Sequence, residues 1–488
     1  MPGDLRRRSL KGVLWAATEG AGVAALSFGS FAVMAVMLEP RDFGVVALAG
    51  VPVYFLLMLV GHSFSDALVQ REAIDREHID TAFWATTGLG LLSVAACAAM
   101  ADPLSAMLGE PEIAQALLAL ALILPVNALA AVPSGLFRRA LRFRVLAACT
   151  VSGRAAGAAV GIVAAFAGFG MWSLVAQQLV GALVTAGAVL AATDWRPGLR
   201  VRRRHLGEMG GFGFYVSMSQ VASGAGEQLL NFLVGTLFGT AALGYFNVAW
   251  RMVQLVRSLL SSAVYHVGLS AFARLQNDLP ALARAYVQAT RISCLVGFPI
   301  GIGMALLGPL LIRALFGSKW DESTVLLAVL ALEFLPAGYC MFVSALYRSV
   351  GKASWGFGTA VLYVAIGIGG AVLAAPFGVL AVAVVWVARA YLLLPLHIVL
   401  VRRLSGLPTS RLLLPMLAPL VAGAVMAATI LALHLRPPFG PIEPWMELAM
   451  LLPVAVAVYW LTIRVLSPDL FSTAVGTLRL MLARRVSP

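Results

Sequence analysis

Two polar stripes run through otherwise apolar sequence. In "GFGFYVSMSQVASGAGEQLLNFLVG", residues 211–235, Gly213, Ser217, Gln220, Gly224, Glu227 and Asn231 recur every three or four positions, a spacing that lines one face of a helix. In "FNVAWRMVQLVRSLLSSAVY", residues 246–265, Asn247, Arg251, Gln254, Ser258, Ser261 and Tyr265 do the same, with Arg257 at the edge. The first stripe offers a carboxylate and amides. The second offers guanidinium groups, which grip oxyanions through several fixed donors, and hydroxyls. If the chain turns near residue 241, Glu227 lies level with about residue 255, and both arginines fall within roughly 6 Å of it along the axis at 1.5 Å per residue. Two roles therefore stand open for Glu227. It pairs with an arginine to hold the hairpin together, or it lines a cavity for a charged, hydroxyl-rich cargo. Six polar positions on each helix exceed what a structural pair requires.

Other chemistry-bearing residues are sparser. Glu19 stands roughly level with His62 and Asp66 across the first hairpin. Glu19, Asp66 and Glu227 are the candidates for H+ or Na+ coupling, and no cofactor is expected. Arg389 lies deep in an apolar run and is a further cavity candidate, whereas Arg154 and Arg291 lie near the ends of theirs, where long side chains snorkel. Gln177, Gln178 and Asn127 suit either a cavity or hydrogen bonds between helices. There is no Gly-rich phosphate loop and no His/Cys spacing for a metal. Cys97, Cys149, Cys294 and Cys340 form no close pair and read as small buried hydrophobes.

The elements that position these groups are membrane spans. Of 488 residues 61% are hydrophobic and 12% charged, with mean hydropathy +0.91. Fourteen apolar runs between residues 12 and 466 are each long enough for the roughly 20 residues that a hydrocarbon core requires. They lack the alternation of barrel strands, so an all-α polytopic membrane protein is expected. The first run is too long for a signal peptide and is interrupted by Glu19, so it reads as a retained span. With both termini cytoplasmic, 26 Lys/Arg fall in cytoplasmic segments, 4 in periplasmic loops and 5 inside spans, as the positive-inside rule requires. The net charge of +13 thus reflects topology and anionic lipid, not nucleic acid.

An internal repeat organises the spans. "MLEPRDFGVVALA" and "LFGTAALGYFNVA" join consecutive spans and place Gly44 and Gly244 at an offset of 200; "PSGLFRRALRF" and "VSALYRSVGKA" place Arg138 opposite Arg348. Each half holds six spans, so the halves share one orientation and are related by an axis along the membrane normal. The expected organisation is an N-lobe (1–192), a cytoplasmic linker (193–211), a C-lobe (212–400) and a segment (401–488) with spans 13 and 14 and a cytoplasmic tail. The two lobes enclose a central cavity.

The order of these motifs, with "GHSFSDALVQRE" after span 2 and "FARLQND" after span 8, resembles the polysaccharide-transport flippases of the multidrug/oligosaccharidyl-lipid/polysaccharide exporter superfamily over nearly the whole chain. The resemblance implies a place in the inner membrane of a bacterium and alternating access without ATP. It implies a polyprenyl-diphosphate-linked oligosaccharide as cargo, carried from the cytoplasmic to the periplasmic leaflet for exopolysaccharide, capsule or O-antigen, alongside other assembly proteins. It also implies a lipid-tail groove flanked by spans 13 and 14. The chain departs from the pattern where Glu227 replaces a usual aspartate and Arg257 a usual proline. Two alternatives remain: a cation-coupled drug exporter of the same superfamily, whose cavity would favour carboxylates, and a polytopic polysaccharide-synthesis enzyme, which would want a large periplasmic loop.

Overall fold

The computed structural model describes residues 22–62, 64–71, 74–275, 278–435, 443–474 and 476. The expectations for Glu19, and for the side chains of His62, Ser261 and Tyr265, fall outside what is described. Among the described residues all regular elements are helical, as the continuous apolar runs require: without water, a spanning backbone must satisfy its hydrogen bonds internally. Twelve helices are long and apolar enough to cross a membrane, and the described part of one more, Gly22–Met37 (α1), is shorter. One of the twelve, Gly224–Ser258, holds two expected spans. Its parent helix, Arg203–Arg274 (α9), is broken at Gly239, where φ is 84° and ψ 173°, a conformation open to glycine and strained for other residues. Thirteen of the fourteen expected runs thus fall on these twelve helices, and the described part of the first falls on α1.

The chain divides into two compact units, one ending at Asn247 and the other beginning at Val248. The first holds α1, Pro40–His62 (α2), Ser65–Gln70 (α3), Arg76–Leu108 (α4), Pro111–Ala121 (α5), Ile123–Arg139 (α6), Phe143–Phe166 (α7), Met171–Ala192 (α8) and α9 as far as residue 247. Glycines at every fourth position let α7 meet α8 closely: a Cβ on Gly161 would lie 2.7 Å from Gln177 Cβ. The matched turn glycines are reciprocal. A Cβ on Gly44 would collide with the Thr240 carbonyl, and one on Gly244 with the Pro40 carbonyl, so each glycine rests on the residue four before the other.

The second unit holds the rest of α9, Leu279–Phe316 (α10), Asp321–Ala331 (α11), Phe334–Cys340 (α12), Val343–Ser349 (α13), Ala353–Ala374 (α14), Val379–Ser405 (α15), Thr409–Leu435 (α16) and Pro444–Leu466 (α17). Leu295 and Leu307 of α10, Met426 and Ile430 of α16, and Tyr459 and Ile463 of α17 share one core. Prolines within these helices cannot donate to the carbonyl four residues back. Twice a tyrosine supplies the proton: Tyr459 Oη donates to Leu295 O, four before Pro299, and Tyr391 Oη to Leu332 O, four before Pro336, each at 2.8 Å. Spans 4 and 10 are broken alike. Each has a break three residues before a proline, in "LILP" (122–125) and "EFLP" (333–336), separating α5 from α6 and α11 from α12.

Candidate functional site

The break in span 10 brings a carboxylate into the second unit's interior. Glu333 lies in the two-residue turn between α11 and α12 and is 3% exposed. Arg257 Nη2 donates to its Oε2 at 2.8 Å, and Tyr363 Oη of α14 donates to its Oε1 at 2.7 Å. A buried charge is tolerated when it is paired and hydrogen-bonded, and both oxygens of Glu333 are satisfied. The Tyr363 ring carries the Arg389 guanidinium 4.0 Å from its centroid, and the same guanidinium stands 3.0 Å from the centroid of Trp386. Trp386 meets Trp250 edge-on at 6.4 Å, and Arg257 lies 5.3 Å over Trp250. The six side chains close a ring: Glu333, Tyr363, Arg389, Trp386, Trp250, Arg257.

The ring holds two guanidinium groups and one carboxylate. Arg389 is 4% exposed, and among the described residues its Nε and Nη1 have no hydrogen-bond partner. Its place depends on Gly367, where a Cβ would collide with Nη1. Aromatic faces stabilise a guanidinium by about 0.5–2 kcal/mol each, yet they do not accept its in-plane N–H bonds. The site is therefore short of acceptors. A cavity of about 340 Å³ adjoins it, lined by Arg257, Glu333, Tyr363, Ser293 and His397 together with apolar groups of α10, α12 and α15.

The expected site residues divide between the units. In the first, Gln220 is exposed, Asn231 is buried with its Oδ1 unpartnered by any hydrogen bond, and Glu227 is half-buried. Tyr54 lies within electrostatic range of Glu227, and its hydroxyl occupies the space a Cβ on Gly224 would take. Asn247 is half-buried. Asp66 pairs with Arg138 at 3.2 Å, and Arg138 also donates to Ser65 Oγ at 2.9 Å; the exit arginine of span 4 thus holds the short helix α3. In the second unit Gln254 is half-buried, Arg251 and Ser258 are exposed, and Ser258 Oγ donates to Leu255 O at 2.7 Å. Arg257 and Arg389 are brought together. Glu333, Tyr363, Trp250 and Trp386 were absent from the sequence candidates. Glu333 carried a usable signal, since a lone ionisable residue inside an apolar run marks a functional position; the aromatic residues carried none.

Fold and site together define a polytopic helical membrane transporter with a cavity beside the pair that Arg257 makes with buried Glu333. The chain belongs to the polysaccharide biosynthesis protein family, whose profile matches residues 33–325. It is 27% identical over 376 residues to the succinoglycan biosynthesis transport protein ExoT of Rhizobium meliloti (strain 1021), covering 77% of this chain and 76% of that protein. It is 21% identical over 360 residues to the lipopolysaccharide biosynthesis protein WzxC of Escherichia coli (strain K12), covering 72% and 69%. Its fold is that of the lipid II flippase MurJ in an inward closed conformation, with TM-score 0.77 and 15% identity over 94% of this chain and 99% of that one.

Proposed function

We propose that this chain moves a polyprenyl-diphosphate-linked oligosaccharide from the cytoplasmic to the periplasmic leaflet of the bacterial inner membrane by alternating access. The observation that carries the reading is the excess of guanidinium over carboxylate around Glu333, with two buried N–H groups of Arg389 lacking an acceptor. A diphosphate supplies oxygens in the geometry that arginine favours. ExoT is named for transport in succinoglycan biosynthesis and WzxC for lipopolysaccharide biosynthesis, which supports a saccharide-bearing cargo. A groove of about 420 Å³ between α10, α16 and the end of α17, mostly apolar with Arg291 and Arg411 among its lining, suits a lipid tail and its charged end. The matched spacing of Gly44 and Gly244 supports a division into two repeated halves, 1–192 and 212–400. Arg251, exposed on the second stripe, and Glu227 remain candidate cavity residues, and the membrane potential or an ion gradient drives the cycle.

Outward movement of a net negative cargo releases about 2.3 kcal/mol per charge per 100 mV when the interior is negative. The test is flipping of a defined lipid-diphosphate oligosaccharide in proteoliposomes, with potential, H+ and Na+ imposed separately. Arg389→Ala and Arg251→Ala are expected to slow flipping while inserting normally. Transport of a cationic amphiphile in place of the lipid diphosphate would assign the chain to drug export instead.

A further inference from the structure

A second cluster of charged and metal-ligating side chains lies in the first unit, outside the apolar spans. It joins the segment before α4 to the linker that leads into α9. Asp75 caps α4 by accepting from His78 N at 2.8 Å, and the same oxygen stands 2.7 Å from His78 Nδ1. That contact places the His78 proton on Nδ1 and leaves Nε2 as a lone pair. From the linker side, His205 stacks on His78 with ring centroids 3.7 Å apart. Both imidazoles are largely buried, their side chains 11% and 12% exposed. Glu208 Oε2 stands 3.6 Å from His78 Nε2 and 3.7 Å from His205 Nδ1. The outer nitrogen of His205, Nε2, faces Glu77 Oε2 at 3.9 Å.

We propose that His78 Nε2, His205 Nδ1 and Glu208 Oε2 bind a divalent transition metal of the Zn2+ type, in competition with the guanidinium of Arg71. Bond lengths of about 2.0–2.2 Å to nitrogen and carboxylate oxygen set a tetrahedral edge of about 3.4 Å, close to the two separations that Glu208 makes. His78 turns its other nitrogen to Asp75 at 2.7 Å, the outer-shell arrangement that fixes a ligand's tautomer, and Glu77 stands 3.9 Å beyond the outer nitrogen of His205. Arg71 Nη1 stands between two of the three donors, 2.8 Å from His78 Nε2 and 3.0 Å from Glu208 Oε2. The third donor, His205 Nδ1, is buried without a hydrogen-bond partner. One N–H of a planar fork serves two donors, whereas an ion serves all three.

No spacing in the sequence announces the site, because its two histidines are joined only by the fold. Ion binding would tie the entrance of span 3 to the linker between the two six-span halves, where Arg202 Nε already pairs with Glu77 at 2.6 Å.

The test uses the full chain in nanodiscs, purified without a histidine tag. Zn2+ is titrated against a chromophoric chelator, and Co2+ is used for its visible ligand-field bands. One equivalent is expected, with the band intensity of tetrahedral cobalt. His205→Ala and Glu208→Gln are expected to weaken binding by at least about tenfold, and Asp75→Asn by about tenfold. Arg71→Met removes the competitor and is expected to tighten binding, a gain that misfolding cannot imitate. Absence of stoichiometric binding overturns the proposal. So does binding of equal strength in the His205 and Glu208 variants, or an Arg71 variant that binds no more tightly than the parent.

Discussion

At the junction of α5 and α6 the residue three before the proline is Leu122, 51% exposed; at the junction of α11 and α12 it is Glu333, 3% exposed. Local backbone chemistry is shared. Pro125 and Pro336 both forbid a donor to the preceding turn, and each span resumes as a new helix at Ile123 or Phe334. What differs is the neighbourhood that the broken turn offers. Beside Leu122 the hydrogen bonding is local, as when Asn127 Nδ2 donates to Ile123 O at 2.9 Å. Beside Glu333 stand Arg257, Tyr363 and, one ring further, Arg389. A repeated scaffold thus supplies the same irregular backbone twice, and a single carboxylate with its partners makes one copy chemical. Irregular backbone at membrane depth persists where it is buried in protein or lines a cavity, and span 10 does both.

The largest expected contrast lies between the two equivalent positions themselves. Glu333→Ala leaves Arg257 and Tyr363 without their shared acceptor, and breaking a buried charged pair costs about 3–5 kcal/mol. The lower end is expected, since the Arg257 side chain is 39% exposed. Leu122→Ala is expected to change stability by about 0.5 kcal/mol or less, as exposed substitutions do. Unfolding of both variants in one detergent checks this. Equal losses would mean that the breaks are alike in energy and that the charge is incidental.

A smaller effect on stability but a larger one on ligand is expected at Arg389. Hydrogen bonds to charged groups contribute about 1.5–3 kcal/mol, so Arg389→Gln should weaken a lipid diphosphate by roughly 10- to 150-fold. Its stability loss should stay below that of Glu333→Ala, because the two buried N–H groups have no protein acceptor to lose. Arg389→Lys should recover part of the affinity, a point charge replacing a fork. Binding measured beside thermal unfolding separates the roles. A variant that unfolds as readily as Glu333→Ala yet binds normally would make Arg389 structural.

The contrast also explains what was legible beforehand. Spans and the turn repeat follow from apolar length and from glycine positions, which act locally, and Gly44 and Gly244 pack reciprocally as their matched spacing suggests. Arg257 and Arg389 stood out because charge inside an apolar run is costly. The same rule applies to Glu333, which has no polar stripe around it to draw attention. Its partners come from α9 and α14, and no periodicity along one helix records a neighbour on another. Asp66, singled out as a coupling candidate, likewise has its partner Arg138 on another helix, where no local spacing records it. Trp250, Trp386 and Tyr363 look like ordinary span aromatics until the guanidinium groups are set against their faces.

The smallest expected effect concerns the carbonyl that the span 10 proline frees. Leu332 O accepts from Tyr391 Oη at 2.8 Å and, more weakly, from Leu335 N at 3.3 Å. Tyr391→Phe therefore removes the better of two bonds, and a loss of about 0.5–1 kcal/mol is expected, within the net worth of one hydrogen bond. The figure should be smaller than that for Tyr459→Phe, since Tyr391 is 40% exposed and Tyr459 only 1%; a buried carbonyl left unpaired costs about 1–3 kcal/mol. Proline is the cause in both cases, so restoring its missing N–H should remove the need for the tyrosine. In Pro336→Ala/Tyr391→Phe the alanine N–H is free to reach Leu332 O, and the double variant should lose less than the two single changes together. Pro125→Ala is the comparison variant at the span 4 break. A double-variant cycle of unfolding free energies decides it. Strict additivity would mean that the hydroxyl and the proline act independently, and that the break in span 10 is held open by Glu333 and its partners alone.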